Sequence, residues 1–117
     1  MPTTRQFKIA TQISRVLAQA CQQTLNDPRL ARIVIKETRV SKDFSYAIVF
    51  FSSLNHADSE ETLLKALKKA TPLLRHLIAT QMKLRIVPKL DFRYDEVEAE
   101  AQHIDELLRK ALNPDEA

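Results

Sequence analysis

Glycine is missing from this 117-residue chain, although average usage of about 7% would supply roughly eight. That absence excludes the glycine-rich loops that cradle phosphates, both the GxGxxG and the GxxxxGKS kinds. It also means that any left-handed backbone position falls to another residue type, with Asn26, Asn55 and Asn113 the natural candidates. Cysteine is nearly absent as well. Cys21 stands alone, so no internal disulfide can form, and a reducing compartment is expected. No apolar run approaches the roughly 18–20 residues of a membrane span. The opening stretch MPTTRQFKIATQ is too polar for the apolar region of a secretory signal. A soluble cytoplasmic protein with no membrane partner is expected.

Acidic residues are missing from the first 26 positions, and the charge is polarised along the whole chain. Residues 1–90 hold 15 of the 18 Lys and Arg but only 6 of the 15 Asp and Glu, a formal charge of +9. Residues 91–117 carry −6. A basic body with an acidic end points either to a polyanion partner for the body or to charge that only solubilises. The length suits one domain, residues 1–117, able to bury a core without a disulfide or metal staple.

Periodicity then marks the elements from the N-terminus onward. Thr3 or Thr4 can cap a first helix to about Leu25, with Ile9, Ile13, Val16, Leu17 and Ala20 as its buried stripe. Arg5, Lys8, Gln12, Arg15 and Gln19 form a second stripe with no acid on it. Pro28 ends that helix. Ala31 to Val40 alternates as a strand, Ser41-Lys42-Asp43 is a turn, and Tyr46 to Phe51 is a strand apolar on both faces. The short turn makes the two an antiparallel hairpin, and two-sided apolarity makes the second strand central. Ser59 or Asp58 can cap a second helix that buries Leu63, Ala66, Leu67 and Ala70 and exposes Lys65, Lys68 and Lys69. At Thr71-Pro72 a third helix is expected to start, burying Leu73, Leu74, Leu77 and Ile78 and showing Arg75 and His76. A basic turn with Lys83 and Arg85 leads past Pro88 into a strand with Leu90, Phe92 and Tyr94 on one side and Asp91 and Arg93 on the other. A helical crossover joins this strand to the central one, so the two should be parallel. A last helix over Val97 to Ala111 follows, and residues 113–117 should fray.

The order α-β-β-α-α-β with a terminal helix is that of an α+β, type II KH-like domain. Four segments sharpen it: LNDPRL at Leu25–Leu30, SKDFSYAIVFFS at Ser41–Ser52, LRIVPKLDFRYD at Leu84–Asp95 and HIDELL at His103–Leu108. Together, and in this order over nearly the whole chain, they resemble the ribosome-binding factor A family. The resemblance implies a non-catalytic protein without cofactors that binds the immature 30S ribosomal subunit and its 16S rRNA in the bacterial cytoplasm. It further implies help in rRNA processing and late subunit maturation, above all in the cold, by a monomer with no small-molecule substrate. KH domains clamp the nucleic-acid backbone with a GxxG loop between two helices. The family has a kinked helix pair instead, and the matching place here is Ala70-Thr71-Pro72.

The residues themselves agree in kind. Arg5, Lys8, Arg15, Lys65, Lys68, Lys69, Arg75, Lys83 and Arg85 are the candidate RNA contacts, because cations at phosphates release counterions without reading sequence. Tyr46, Phe50, Phe51, Phe92 and Tyr94 could stack bases on an open sheet, but so few aromatics are barely enough for the core. Enzymatic readings are weaker. His56, His76 and His103 have no metal-ligand spacing. Cys21 lies between Leu17 and Leu25 at helical spacing and reads as packing rather than as a nucleophile. Asp91 and Asp95, or Glu96, Glu98 and Glu100, read as a wet strand face and a helix start rather than a metal site. A protein-docking module acting through the acidic last helix is the alternative to RNA binding.

Overall fold

The computed structural model describes residues 3–54 and 58–95. Thr3 caps the first helix, α1 (Thr4–Gln19), through a reciprocal pair. Its hydroxyl accepts from the Gln6 N–H at 3.1 Å, and its own N–H donates to the Gln6 amide oxygen at 2.9 Å. Ile13, Val16 and Leu17 are buried and Ile9 packs partly against them, as helical periodicity requires. The helix then widens into a π-turn over Ala20–Thr24, closed by the Leu25 N–H on the Ala20 carbonyl at 3.0 Å. The extra residue in that turn sets both Ala20 and Cys21 into the core.

Asp27 caps a one-turn helix, α2 (Pro28–Ala31), with Pro28 at its first position. The strand expected from Ala31 therefore begins only at Ile33. A four-residue helix is too short to show a period, which is why alternation alone missed it. β1 (Ile33–Val40) pairs antiparallel with β2 (Tyr46–Ser53), and β3 (Lys89–Tyr94) lies parallel on the other side of β2. The order β1-β2-β3 puts β2 in the middle, as its apolarity implied. A bulge between Ile35 and Glu37 makes the register skip Lys36. Alternation flips there: Ile33 and Ile35 lie on the core side before the bulge, Thr38 and Val40 after it.

The two faces of β2 are not both covered by the described residues. Ala47, Val49 and Phe51 are fully buried, while Tyr46 is exposed and Ile48 and Phe50 are half-buried. The described helices pack on one face, α1 across β1 and α3 across β3. On the other face Arg39 stacks on Phe50 at 5.7 Å and pairs with Glu37 at 3.2 Å, and Arg93 pairs with Asp91 at 3.1 Å. Arginine stems cover apolar atoms that these helices leave open.

The largest departure lies in the crossover. Ser59 caps one continuous helix, α3 (Glu60–Met82), which carries Pro72 in its interior, rather than two helices meeting at Thr71-Pro72. Thr71 is not a cap: its hydroxyl donates to the Leu67 carbonyl at 2.8 Å. Because the helical phase runs unbroken through the proline, Leu74 and Ile78 continue the buried stripe of Leu63, Ala66 and Leu67. Leu73 falls off that stripe and is 42% exposed, against the expectation that it would be buried. Lys83 ends the helix in the left-handed conformation (φ 53°), and Phe44 in the β1–β2 turn is the other described residue with positive φ. Neither is an asparagine. Asn26 keeps an ordinary φ, and Asn55 and Asn113 lie outside the described residues.

Pro88 is buried immediately before β3, whose first N–H, on Lys89, donates to the Ser45 carbonyl at 2.9 Å. The aromatics assigned to core or platform divide. Phe51 is buried with Phe92 and Tyr94 set edge-on to it, at centroid distances of 6.4 and 5.5 Å, whereas Tyr46 and Phe50 lie on the outer face. The terminal helix lies outside the described residues. The α-β-β-α-β frame, with a long helix where two are usual, is a type II KH-like α+β fold.

Candidate nucleic-acid interface

Three places in the fold present the nine candidate cations. Arg5, Lys8 and Arg15 lie along α1, on the side away from Ile13 and Leu17. Lys65, Lys68 and Lys69 are exposed on α3. Arg75 near its end, and Lys83 and Arg85 in the turn that follows, form the third group. The helix-to-helix packing brings Arg15 of the first group beside the end of α3. Gln12, Arg15 and Gln19 of α1 line one shallow groove of about 350 Å³ with Gln81 and Met82 of α3, and Lys83 follows directly. No described acid lines that groove. Amides beside a guanidinium offer neutral donors next to a charge, a combination suited to phosphate and ribose oxygens.

Not every cation is equally available. Lys65 pairs with Glu61 one turn back at 3.2 Å, and Glu60 and Glu61 share its depression, so the start of α3 is not free of acids. Arg5 lies over the Phe44 ring at 5.3 Å. Arg75 is structural in part, since its guanidinium donates to the Val87 carbonyl at 2.9 Å and the Pro88 carbonyl at 3.2 Å. It thereby ties the end of α3 to the turn that carries Lys83 and Arg85. Lys8, Arg15, Lys68, Lys69, Lys83 and Arg85 make no ion pair with a described residue.

The alternative sites look different once placed. Cys21 is fully buried, and burial pushes its thiol up to about 11, the opposite of an activated nucleophile. Asp91 accepts from the Tyr46 hydroxyl and from Arg93, and these two bonds, Tyr46 first, hold its carboxyl below the usual range. Among the described residues no group of His, Cys, Asp and Glu is arranged to hold a metal ion, and no helix is long and apolar enough to cross a membrane. His76 is exposed on α3, while His56, His103 and residues 96–100 lie outside the described residues.

Sequence reasoning missed Phe7, which is 69% exposed on α1. The signal was its phase: it lies off the stripe of Ile9, Ile13, Val16 and Ala20, between Arg5 and Lys8.

A KH-like α+β fold whose groove between α1 and the end of α3 is lined by Arg15 and by no described acid defines the class of protein. Comparison with known proteins narrows it. The family model described as ribosome-binding factor A matches residues 5–108. A ribosome-binding factor A from Hahella chejuensis is 39% identical over 114 residues, covering 92% of this chain and 84% of its own. The crystal structure of ribosome-binding factor A from Thermus thermophilus superposes with a TM-score of 0.68 at 31% identity, over 76% of this chain and 94% of that one. A Thermus thermophilus ribosome-binding factor A homology model, fitted into the cryo-EM map of a 30S–RbfA complex, gives 0.62 at 32% identity, over 74% and 90%. The chain belongs to the ribosome-binding factor A family.

Proposed function

We propose that this protein binds the immature 30S ribosomal subunit through its 16S rRNA and assists rRNA processing and late subunit maturation without catalysing a reaction. The observation that carries this reading is the junction of the acid-free α1 stripe with the end of α3, where Arg15, Gln12, Gln19 and Gln81 line one groove next to Lys83. Lys8 is exposed on the same side of α1 as Arg15, and Lys68 and Lys69 add exposed charge further back on α3, where Lys68 lines the depression that also holds Glu60 and Glu61. Phosphate contacts of this kind position a protein on RNA without reading its sequence, which suits a factor that recognises a folded particle. A relative of 32% identity was fitted into a map of a 30S complex, and this supports the small subunit as the partner. The protein acts in this reading as a cytoplasmic monomer, with a role that grows at low temperature.

Sedimentation tests it. The chain should co-migrate with immature small subunits and leave mature ones, and a strain lacking it should accumulate unprocessed 16S rRNA, more so in the cold. Equal association with mature and immature subunits, with normal rRNA ends in the deletion strain, would refute the maturation role.

A further inference from the structure

On the far side of α1 from the Arg15 groove lies a larger depression, of about 810 Å³, between α1 and β1. Its floor is Ala10, Val40 and Thr38, and Phe7 stands on its wall with 69% of its surface exposed. Lys36 and Lys42 line it, and the one described acid on its rim, Glu37, is paired with Arg39, whose guanidinium lies over Phe50 on the other face of the sheet. Neither Phe7 nor any of these cations fills the core. The size is within the range of pockets that take small ligands.

The occupant can be argued from the walls. An added peptide strand would need the outer edge of β1, but that edge is blunted in two ways. A bulge at Lys36 interrupts it, and the Gln6 amide donates to the Val40 carbonyl at 3.1 Å. What remains is a solvent-facing aromatic ring amid cations, the combination that stacks a splayed base and neutralises its flanking phosphates. We infer that the α1–β1 groove binds an unpaired RNA segment, with one base stacked on Phe7 and the adjoining phosphates at Lys42 and Lys36. This rests on the reading of the protein as an RNA binder and adds a single-stranded site to the phosphate-binding surface at Arg15, Lys68 and Lys69. A folded rRNA with one unpaired stretch could engage both.

The test uses the full chain and an eight-nucleotide unpaired RNA carrying one 2-aminopurine, whose fluorescence falls on stacking. The wild-type protein should quench it, and Phe7→Tyr should do the same. Phe7→Ala should weaken binding by about 5- to 150-fold, the range that loss of one base–aromatic stack produces. Circular dichroism should stay native, because Phe7 is largely outside the core. An abasic site in place of the 2-aminopurine should cost as much as Phe7→Ala, read by anisotropy of an end label. Equal affinity of Phe7→Ala and wild type, or of abasic and intact RNA, would overturn the inference. So would an acidic peptide that binds with the same dependence on Phe7. The combined change Arg15→Ala, Lys68→Ala and Lys69→Ala separates the two readings: it should spare the short oligonucleotide while weakening structured small-subunit rRNA. Loss of the oligonucleotide in that variant, with Phe7→Ala silent, would also overturn the groove assignment.

Discussion

The Thr71 hydroxyl donates to the Leu67 carbonyl at 2.8 Å, immediately before a proline that lies inside a 23-residue helix. Pro72 has no N–H to give the Lys68 carbonyl, and its ring crowds that carbonyl. The helix nonetheless continues, because Leu63, Ala66 and Leu67 before the proline and Leu74 and Ile78 after it bury one uninterrupted stripe. Packing outweighs a local penalty of about 3 kcal/mol.

Replacing that proline should therefore stabilise the fold. Pro72→Ala restores a donor and should raise unfolding stability by up to about 3 kcal/mol in urea titrations. A destabilised Pro72→Ala would mean that the proline is held by contacts that outweigh its penalty.

Arg75 is expected to act on binding indirectly. Arg75→Ala removes two hydrogen bonds from a charged donor to backbone carbonyls and should cost about 1–3 kcal/mol of stability. Amide exchange should accelerate in residues 83–88 before it does elsewhere. If Arg75→Ala lowers RNA affinity with exchange in that turn unchanged, Arg75 is itself a phosphate contact.

Much of this was legible in the sequence, and the misses have physical reasons. Period-2 and period-3.6 patterns mark β3 and α1 because each buries one continuous face, whereas β2 was read from its two-sided apolarity, which set it centrally but hid that one face is left partly open by the described residues. The patterns fail at α2, which is one turn long, and at Lys36, where a bulge flips the face of β1. Pro72 misleads because proline's local effect is unfavourable while the tertiary stripe across it is not. Of the interface, the acid-free stripe was visible, but the tie from Arg75 to Val87 and Pro88 and the exposure of Phe7 needed three dimensions.

The β1–β2 turn should titrate unusually low. Asp43 accepts from the Ser45 hydroxyl at 2.7 Å, the Ser45 N–H at 3.1 Å and the Ser41 hydroxyl at 2.8 Å, which bring its carboxyl to about 2. A folded value below the unfolded one gives a contribution to stability that is present above about pH 4 and lost as pH falls towards 2. Carbon-detected NMR should place the Asp43 midpoint near 2, and Ser45→Ala should move it up. An ordinary midpoint in the native chain would show that these bonds do not persist.

Cys21 should be inert. With its thiol buried and raised to about 11, native protein should resist alkylation at pH 8 until it unfolds. Cys21→Ser should cost about 1–3 kcal/mol by burying a hydroxyl, and should leave RNA binding unchanged. Fast alkylation of native protein, or lost binding with the fold intact, would point to a reactive role instead.

If RNA phosphates meet the surface formed by α1 and α3, filter binding to small-subunit rRNA at a series of salt concentrations is the most direct measurement of it. Wild-type affinity should fall linearly on a log–log plot. Arg15→Ala, Lys68→Ala and Lys69→Ala should each reduce the steepness by roughly 0.7–0.9, the signature of one lost phosphate contact. Affinity should drop by a similar factor for unrelated RNA sequences. A triple variant with native circular dichroism that keeps both the wild-type slope and the wild-type affinity would contradict the account.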